Sequence, residues 1–152
     1  MFSDDVYLEF GRAADLAQAF ECELGTALLV QDAIEAGLHS FPDADAGDRL
    51  QQAIDRRTLG ASLNVFRTRF TLDNEVENTF KRALEIRNSL MHGFFLLRFP
   101  SVQTADGNRT IVDELRLYQR DLERARASAG RISTRLIELF KSAQDNRGKP
   151  IH

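Results

Sequence analysis

Apolar side chains recur at spacings of three and four residues through most of the chain, which is the period of an amphipathic helix. The first such run covers residues 5–36 and predicts one long helix that ends near Gly37. Its apolar positions are Phe10, Ala13, Ala17, Phe20, Leu24, Ala27 and Ile34. Residues 39–47 then combine Ser, Pro, Asp and Gly, and this composition favours a surface connection.

Two shorter helical segments are predicted before the middle of the chain. One lies near residues 48–55. Thr58 is expected to be the N-cap of the other, because its hydroxyl can accept a hydrogen bond from a free amide of the first turn. That helix is expected to turn Leu59, Leu63 and Phe66 inward.

A fourth helix of at least five turns is predicted to begin after Asp73, which suits an N-cap. Its apolar positions alternate at spacings of three and four: Val76, Phe80, Ala83, Leu90, Phe94 and Leu97. Pro100 and the run Asp106-Gly107-Asn108 then break the pattern. For residues 99–112 a plain loop is favoured over a small hairpin around the Asp-Gly-Asn turn.

The last periodic run predicts a final long helix. Its apolar positions are Ile111, Leu115, Tyr118, Leu122, Ala125, Ala129, Ile132 and Leu136. Each apolar stripe can be buried only against its neighbours, so the pattern predicts an all-α protein, an up-and-down bundle of four to five helices. The length suits one domain over residues 1–145, with residues 146–152 as a flexible tail.

The composition, with 43% apolar and 28% charged residues, is typical of a folded globular protein. No run approaches the roughly 20 apolar residues that span a bilayer, and residues 1–5 are acidic where a signal peptide would be basic. A cytoplasmic location without a membrane partner is therefore expected. Cys22 is the single cysteine, which excludes an intrachain disulfide, and we expect it to be a small core residue rather than a nucleophile.

The net charge of -3 hides an asymmetry between the two halves of the chain. The first 80 residues carry 15 acidic and 6 basic side chains, and the remainder carries 8 acidic and 14 basic. The second half is therefore the better candidate for binding an anion. Arginine supplies 17 of the 20 basic residues, which suits phosphate recognition, but a nucleotide bias of the source genome explains the excess equally well.

Arg87 falls in the middle of the apolar stripe of the fourth helix on an ideal helical wheel. A guanidinium keeps its proton, so at a buried position it needs a carboxylate, a phosphate or solvent. One explanation is a structural ion pair, and the candidate partners are Asp32, Glu35 and Asp113. The other is a bound ligand, because Asn88 and His92 stand four residues apart on one side of the same helix, next to the arginine.

The run Arg87-Asn88-Ser89-Leu90-Met91-His92 resembles the motif of HEPN-domain proteins, an arginine often followed by a polar residue, then four to six intervening positions and a histidine. The resemblance extends over most of the chain, because HEPN domains are bundles of four or five helices with this motif on a late helix. It implies a metal-independent endoribonuclease of toxin or phage-defence type, with RNA as substrate and no metal or other cofactor. The alternative is a non-catalytic HEPN-like module that binds RNA, a nucleotide or a protein partner.

The residue chemistry fits RNA cleavage through the ribose 2′-hydroxyl, which needs a proton acceptor, a proton donor and positive charge beside the phosphate. His92 would be the acid or base, because histidine exchanges protons near neutral pH. Arg87 would bind the phosphate with its planar fork, and Asn88 would orient His92 or the phosphate. His39 and His152 lie in an expected loop and in the tail, so no paired-histidine metal motif is present.

Residues five apart lie about 140° around a helix and about 7.5 Å along it, so Arg87 and His92 do not naturally point together. The arginine's length, a distortion near Gly93 or a second copy of the helix could each bring them to one phosphate. HEPN nucleases resemble the third solution, so a two-fold homodimer with a shared cleft is expected. Family members controlled by a nucleotidyltransferase antitoxin carry a tyrosine where this chain has Phe94, which argues against that control but leaves another antitoxin open.

Five arginines of the last helix fall within an arc of about 100° opposite its apolar stripe: Arg116, Arg120, Arg124, Arg131 and Arg135. They could follow an RNA backbone. Glu123 and Glu138 share that face, so a solvated surface with internal ion pairs is the favoured interpretation. Phe94 and Phe95 are expected to be core or dimer contacts rather than platforms for base stacking.

Overall fold

The computed structural model describes residues 1–146 of the 152-residue chain, and every regular element in that range is helical. The α-helices are α1 (Asp4–Glu35), α2 (Ala44–Asp55), α3 (Leu59–Arg69), α4 (Asn74–Met91), α5 (Phe94–Arg98) and α6 (Ala105–Asp145), with a 3-10 helix at Phe99–Gln103. The all-α class is confirmed. The up-and-down order and the likeness to HEPN domains stay predictions. No helix within residues 1–146 is long and apolar enough to cross a membrane.

The chain divides into two compact units. One consists of Met1–Glu21 with Leu72–Ala127, and the other of Cys22–Thr71 with residues 128–146. Helices α1 and α6 contribute residues to both units. The single domain over residues 1–145 stays a prediction. The predicted tail, residues 146–152, lies outside the described residues except for Asn146.

Side chains cap the N-termini of several helices, α2, α3 and α4 among them. Asp43, Thr58 and Asp73 each accept a hydrogen bond from a free amide in the first turn of α2, α3 and α4, respectively. The predicted caps Thr58 and Asp73 are confirmed. Because Asp43 caps its helix, α2 begins at Ala44 rather than near residue 48, and the connection after α1 is shorter than predicted.

The core of the unit that holds the candidate motif is built from α1, α4 and α6. Its buried residues include Val6, Ala13, Ala17, Phe20, Phe80, Ala83, Ile86, Leu90, Leu115 and Leu122. The rings of Phe20 and Phe80 lie 5.3 Å apart between centroids. Most of these positions belong to the predicted stripes, so α4 is held by burial of its apolar face.

The second unit packs residues of α1, α2, α3 and α6. Its core includes Leu24, Ala27, Leu28, Ile54, Leu59, Leu63, Phe66, Ala129 and Leu136. Arg69 forms ion pairs with Asp32 and Glu35 in this unit. The predicted burial of Cys22 is wrong. Its side chain is exposed, whereas Phe20 and Leu24, which precede and follow it on α1, are buried.

The 18 residues of the fourth helix make the predicted five turns, but the helix ends before Phe94 and Leu97 of the predicted stripe, because the chain turns at Gly93. Gly93 adopts the left-handed conformation, with φ 76° and ψ 21°, which a glycine tolerates and which ends a helix. The helix therefore stops at Met91, and the short α5 starts in a new direction. Phe94 is buried as predicted, but Leu97 is exposed, so its assignment to the apolar stripe was wrong.

Residues 99–112 form neither the favoured loop nor the hairpin. A 3-10 helix occupies Phe99–Gln103, and α6 takes Asp106-Gly107-Asn108 into its first turn. The Thr104 hydroxyl accepts a hydrogen bond from the Gly107 amide at 3.0 Å. A Cβ at Gly107 would lie 1.5 Å from the Ser101 carbonyl oxygen, so only glycine fits this close approach. The turn-forming residues thus serve as a helix start.

Candidate functional site

The motif identified from the sequence occupies the end of α4. Arg87 and Asn88 lie in its last helical turns, and His92 is the C-cap residue. The His92 amide donates a hydrogen bond to the Asn88 carbonyl at 3.0 Å. The side chains of Asn88 and His92 are both exposed, and Gly93 turns the chain immediately afterwards. The motif therefore ends at the exposed C-terminus of a helix whose apolar face is buried.

Arg87 is paired, but not with a predicted carboxylate. Its Nε donates to Oε1 of Glu21 on α1 at 2.8 Å. The predictions of Asp32 and Glu35 as partners were wrong, because both contact Arg69. No ion pair between Arg87 and Asp113 is formed within residues 1–146 either. Several carboxylates follow one another along α1, and the sequence does not define which of them the register of α4 brings to Arg87.

Arg87 lies at the edge of the apolar face rather than at its centre. The buried residues of α4 are Phe80, Ala83, Ile86 and Leu90, and Ile86 was missing from the predicted stripe. The Arg87 side chain keeps 28% of its accessible surface and Glu21 keeps 34%. The pair is therefore partly solvated, and a ligand can still approach the guanidinium from the solvent side.

Arg87 and the neighbouring Ser89 leave α4 toward different helices. Arg87 faces α1, while the Ser89 hydroxyl lies 3.4 Å from the Tyr118 hydroxyl on α6. Across residues 1–146, His92 has no side-chain hydrogen bond, ion pair or ring contact. Nor does any hydrogen bond in that range join the side chains of Arg87, Asn88 and His92. The described part of one chain therefore does not link Arg87 and His92 to each other.

The segment after the motif is anchored by a charged cluster. Arg98 binds Glu114 through two nitrogens, with Nε 2.8 Å from Oε2, and the Tyr118 hydroxyl donates to Glu114 at 2.8 Å. The hydrogen bonds from Arg98 hold the pKa of Glu114 below its usual value against the effect of burial. The Arg98 guanidinium also lies 3.8 Å from the centre of the Phe94 ring. These contacts attach α5 to α6 directly after His92.

An exposed apolar surface follows the motif. Four side chains form it, and we call them the α5 apolar surface. Their exposed fractions are 53% for Tyr7, 79% for Leu96, 74% for Leu97 and 55% for Phe99. Phe95 underlies it, with its ring centroid 5.4 Å from that of Tyr7. Phe2 connects its two ends, 6.2 Å from Tyr7 and 6.4 Å from Phe99 between ring centroids. Contiguous exposed apolar side chains of this kind mark interaction sites on folded proteins.

Comparison of the chain with protein-family models, with curated proteins and with solved structures found no match. Within residues 1–146, no three or more His, Cys, Asp or Glu side chains cluster in a way that could hold a metal ion. The assignment of Arg87, Asn88 and His92 as site residues therefore depends on the sequence motif and on the local geometry described above.

Proposed function

We propose that this chain is a metal-independent endoribonuclease of the HEPN type, with a role in toxin action or phage defence, that cleaves RNA by attack of the ribose 2′-hydroxyl. The observation that carries the proposal is the placement of His92. It is an exposed imidazole with no partner among residues 1–146, at the end of a helix whose apolar face is buried, one turn from Asn88 on the helix that carries Arg87. A general acid or base needs this combination of access and rigid support.

In the proposed reaction, the 2′-oxygen attacks phosphorus as the bond from phosphorus to the 5′-oxygen breaks. His92 of one copy takes the proton of the 2′-hydroxyl, and His92 of a second copy gives a proton to the leaving 5′-oxygen. Asn88, exposed beside His92, would orient the imidazole or the phosphate. The products are a 2′,3′-cyclic phosphate and a free 5′-hydroxyl.

Arg87 would stabilise the charge on the phosphate in the transition state. Glu21 occupies its Nε, and within residues 1–146 its two terminal nitrogens form no hydrogen bond. Those nitrogens can therefore bind two phosphate oxygens while Glu21 holds the guanidinium in place. Glu21 is in this view a positioning residue, which the sequence alone did not reveal.

A homodimer would complete the site. Arg87 faces α1, no hydrogen bond within residues 1–146 links it to His92, and a two-fold dimer would bring His92 of one chain to Arg87 of the other. The α5 apolar surface begins four residues after His92, and its exposed side chains carry no charge. A two-fold axis through it would therefore bury apolar area without placing like charges together.

Leu97→Asp is expected to convert the dimer to a monomer, because it would place a carboxylate in the apolar contact of both copies. Size-exclusion chromatography with light scattering measures the mass. The control is Leu117→Asp, at a leucine of α6 that is 51% exposed and outside this surface. A wild-type protein that is monomeric at micromolar concentration, or an L97D protein that stays dimeric, would refute the proposed interface.

The proposed activity is tested with purified protein and labelled single-stranded RNAs in excess chelator. We expect cleavage and products that end in a 2′,3′-cyclic phosphate. Arg87→Ala, purified in parallel, reports contaminating nuclease and should be nearly inactive, because the phosphate then loses its charged ligand. Intact RNA across a range of sequences, or equal cleavage by R87A, would exclude the nuclease proposal.

A second function is favoured by the ion pair itself. Since Arg87 is bound to Glu21, its role could be structural in a non-catalytic HEPN-like module that binds RNA, a nucleotide or a protein partner such as an antitoxin. In that case RNA stays intact with wild-type protein, and R87A lowers stability. Modification of the position two residues after His92 is disfavoured in either case, because Phe94 lacks a hydroxyl and is only 2% exposed.

A further inference from the structure

A cavity lies along α6, in the same compact unit as the candidate motif. Its volume is about 420 Å³. We call it the arginine groove, and its lining residues are Leu16, Arg116, Gln119, Arg120, Glu123 and Arg124. The three arginines are exposed members of the arc identified in the sequence, and Leu16 of α1 forms the opposite wall.

The acidic residue of the groove is already engaged. Glu123 accepts two hydrogen bonds from Arg126, one of them from Nε at 2.8 Å. These bonds lower the pKa of Glu123 from its usual value. The sequence favoured internal ion pairs between Glu123 and the arginines of the arc, but Arg126 lies outside the arc. Glu123 therefore does not neutralise the groove arginines.

The groove arginines themselves have weak partners or none. Arg120 forms no hydrogen bond or ion pair with residues 1–146. Arg116 comes no closer than 3.7 Å to Glu9, whose carboxylate already accepts hydrogen bonds from Arg12 and Gln119. Arg124 reaches Asp121 only at 3.9 Å. Positive charge thus accumulates at this position of a chain whose net charge is negative.

The remaining two arginines of the arc differ in this respect. Arg131 donates a hydrogen bond to the Ser128 hydroxyl at 3.0 Å, and Arg135 pairs with Glu138 at 3.5 Å. Neither lines the arginine groove. The arc is therefore not uniform, and the first three arginines are the ones available to a ligand.

We infer that the arginine groove binds successive phosphates of a single RNA strand. Arg116, Arg120 and Arg124 are each four residues apart, which places them about 6 Å apart along one side of the helix. An extended phosphate backbone can run parallel to this row of guanidinium groups. Each planar guanidinium can bind phosphate oxygens with two hydrogen bonds, and such contacts do not depend on the base sequence. The choice of RNA as the polyanion depends on the proposed function, whereas the binding of phosphates depends on the groove alone.

The test uses full-length protein with His92→Ala, so that cleavage does not disturb binding, and a labelled single-stranded RNA followed by fluorescence anisotropy. Replacing Arg116, Arg120 and Arg124 together by Gln should weaken binding at least about tenfold and lower the salt slope by roughly 0.7 per lost contact. The matched control replaces Arg131 and Arg135 by Gln on the same arc and should change affinity less than about twofold. Circular dichroism verifies that both variants are folded.

Several results would overturn the groove assignment. These are RNA that fails to bind the His92→Ala parent, a triple variant that binds as the parent does, or a control variant that loses as much affinity as the triple variant. Equal binding of a poly-aspartate peptide and RNA would also remove the assignment to phosphates. Tight RNA binding that depends on the groove, together with intact RNA in the cleavage assay, would reject the nuclease proposal and leave the groove in place.

Discussion

His92→Ala is expected to lower the rate of RNA cleavage by about 10²- to 10⁴-fold, which is the usual contribution of a positioned general acid or base. The loss should appear in the chemical step, because the exposed side chain forms no hydrogen bond, ion pair or ring contact within residues 1–146 that would hold the fold. Single-turnover kinetics with saturating enzyme measures this step. Added imidazole should restore part of the rate, since it can carry the missing proton.

Two comparisons make this result specific. The melting temperature of the His92→Ala protein should equal that of wild type, because the His92 side chain is exposed and forms no hydrogen bond or ion pair with residues 1–146. Lys81→Ala, an exposed change on the same helix, should retain wild-type cleavage. Loss of a group that transfers a proton must slow the reaction by more than about threefold. If His92→Ala cleaves RNA within that factor of the wild-type rate, His92 is not a catalytic residue.

Phe80→Ala is expected to reduce the free energy of unfolding by about 3–5 kcal/mol. Phe80 is completely buried, and its ring packs against Phe20 with 5.3 Å between centroids, so the substitution leaves a cavity between α1 and α4. Denaturant unfolding followed by far-ultraviolet circular dichroism measures the change. The effect matters for the site, because Phe80 lies two turns before Arg87 on the helix that carries the motif.

Leu96→Ala is the matched control for packing, since Leu96 is 79% exposed. Below the concentration at which the chain dimerises, its unfolding free energy should differ from wild type by no more than about 0.5 kcal/mol. A change of less than about 1 kcal/mol for Phe80→Ala would mean that the α1 and α4 faces do not pack as described.

The helices were predictable because a helix that buries one face needs apolar residues every three or four positions, and this spacing is visible in the sequence. Phe20, Phe80 and Leu122 stand at helical spacings within runs of apolar residues, and all three are fully buried. The caps Thr58 and Asp73 were predictable for a local reason, because a side-chain oxygen three residues before a free amide can bind it in any fold. Both signals depend only on residues close in sequence.

The wrong predictions concern the point where a helix ends and the contacts between residues that are distant in sequence. The fourth helix was predicted to continue through Leu97 because the apolar spacing continues to that residue. This spacing does not show that Gly93 adopts the left-handed conformation and ends the helix. The partner of Arg87 depended on how far α1 slides along α4, which no local pattern defines, so Glu21 was missed. Which arginine of α6 binds Glu123 depended similarly on the folded chain, and the partner is Arg126 rather than an arginine of the arc.

For the candidate site, the sequence supplied the identities of the residues and the structure supplied their surroundings. Arg87, Asn88 and His92 were chosen from their types and spacing alone. Their exposure, the contact of Arg87 with Glu21 and the termination of α4 at His92 required the folded chain. The divergence of Arg87 and His92 expected from an ideal helix stays a prediction, because His92 is the C-cap residue of α4 and its backbone, with φ -124° and ψ 87°, is not helical.

The pair of Arg87 and Glu21 is electrically neutral, and this has a consequence for turnover in the proposed enzyme. A phosphate that reaches Arg87 meets two offset opposite charges rather than a free cation, so the attraction is short-ranged and directional. Binding of the scissile phosphate in the ground state should therefore be weak. Arg87 should stabilise the transition state more strongly, because the negative charge on the phosphate oxygens grows there. Such an enzyme would hold its RNA mainly at a distance from the cut and release the shortened product readily.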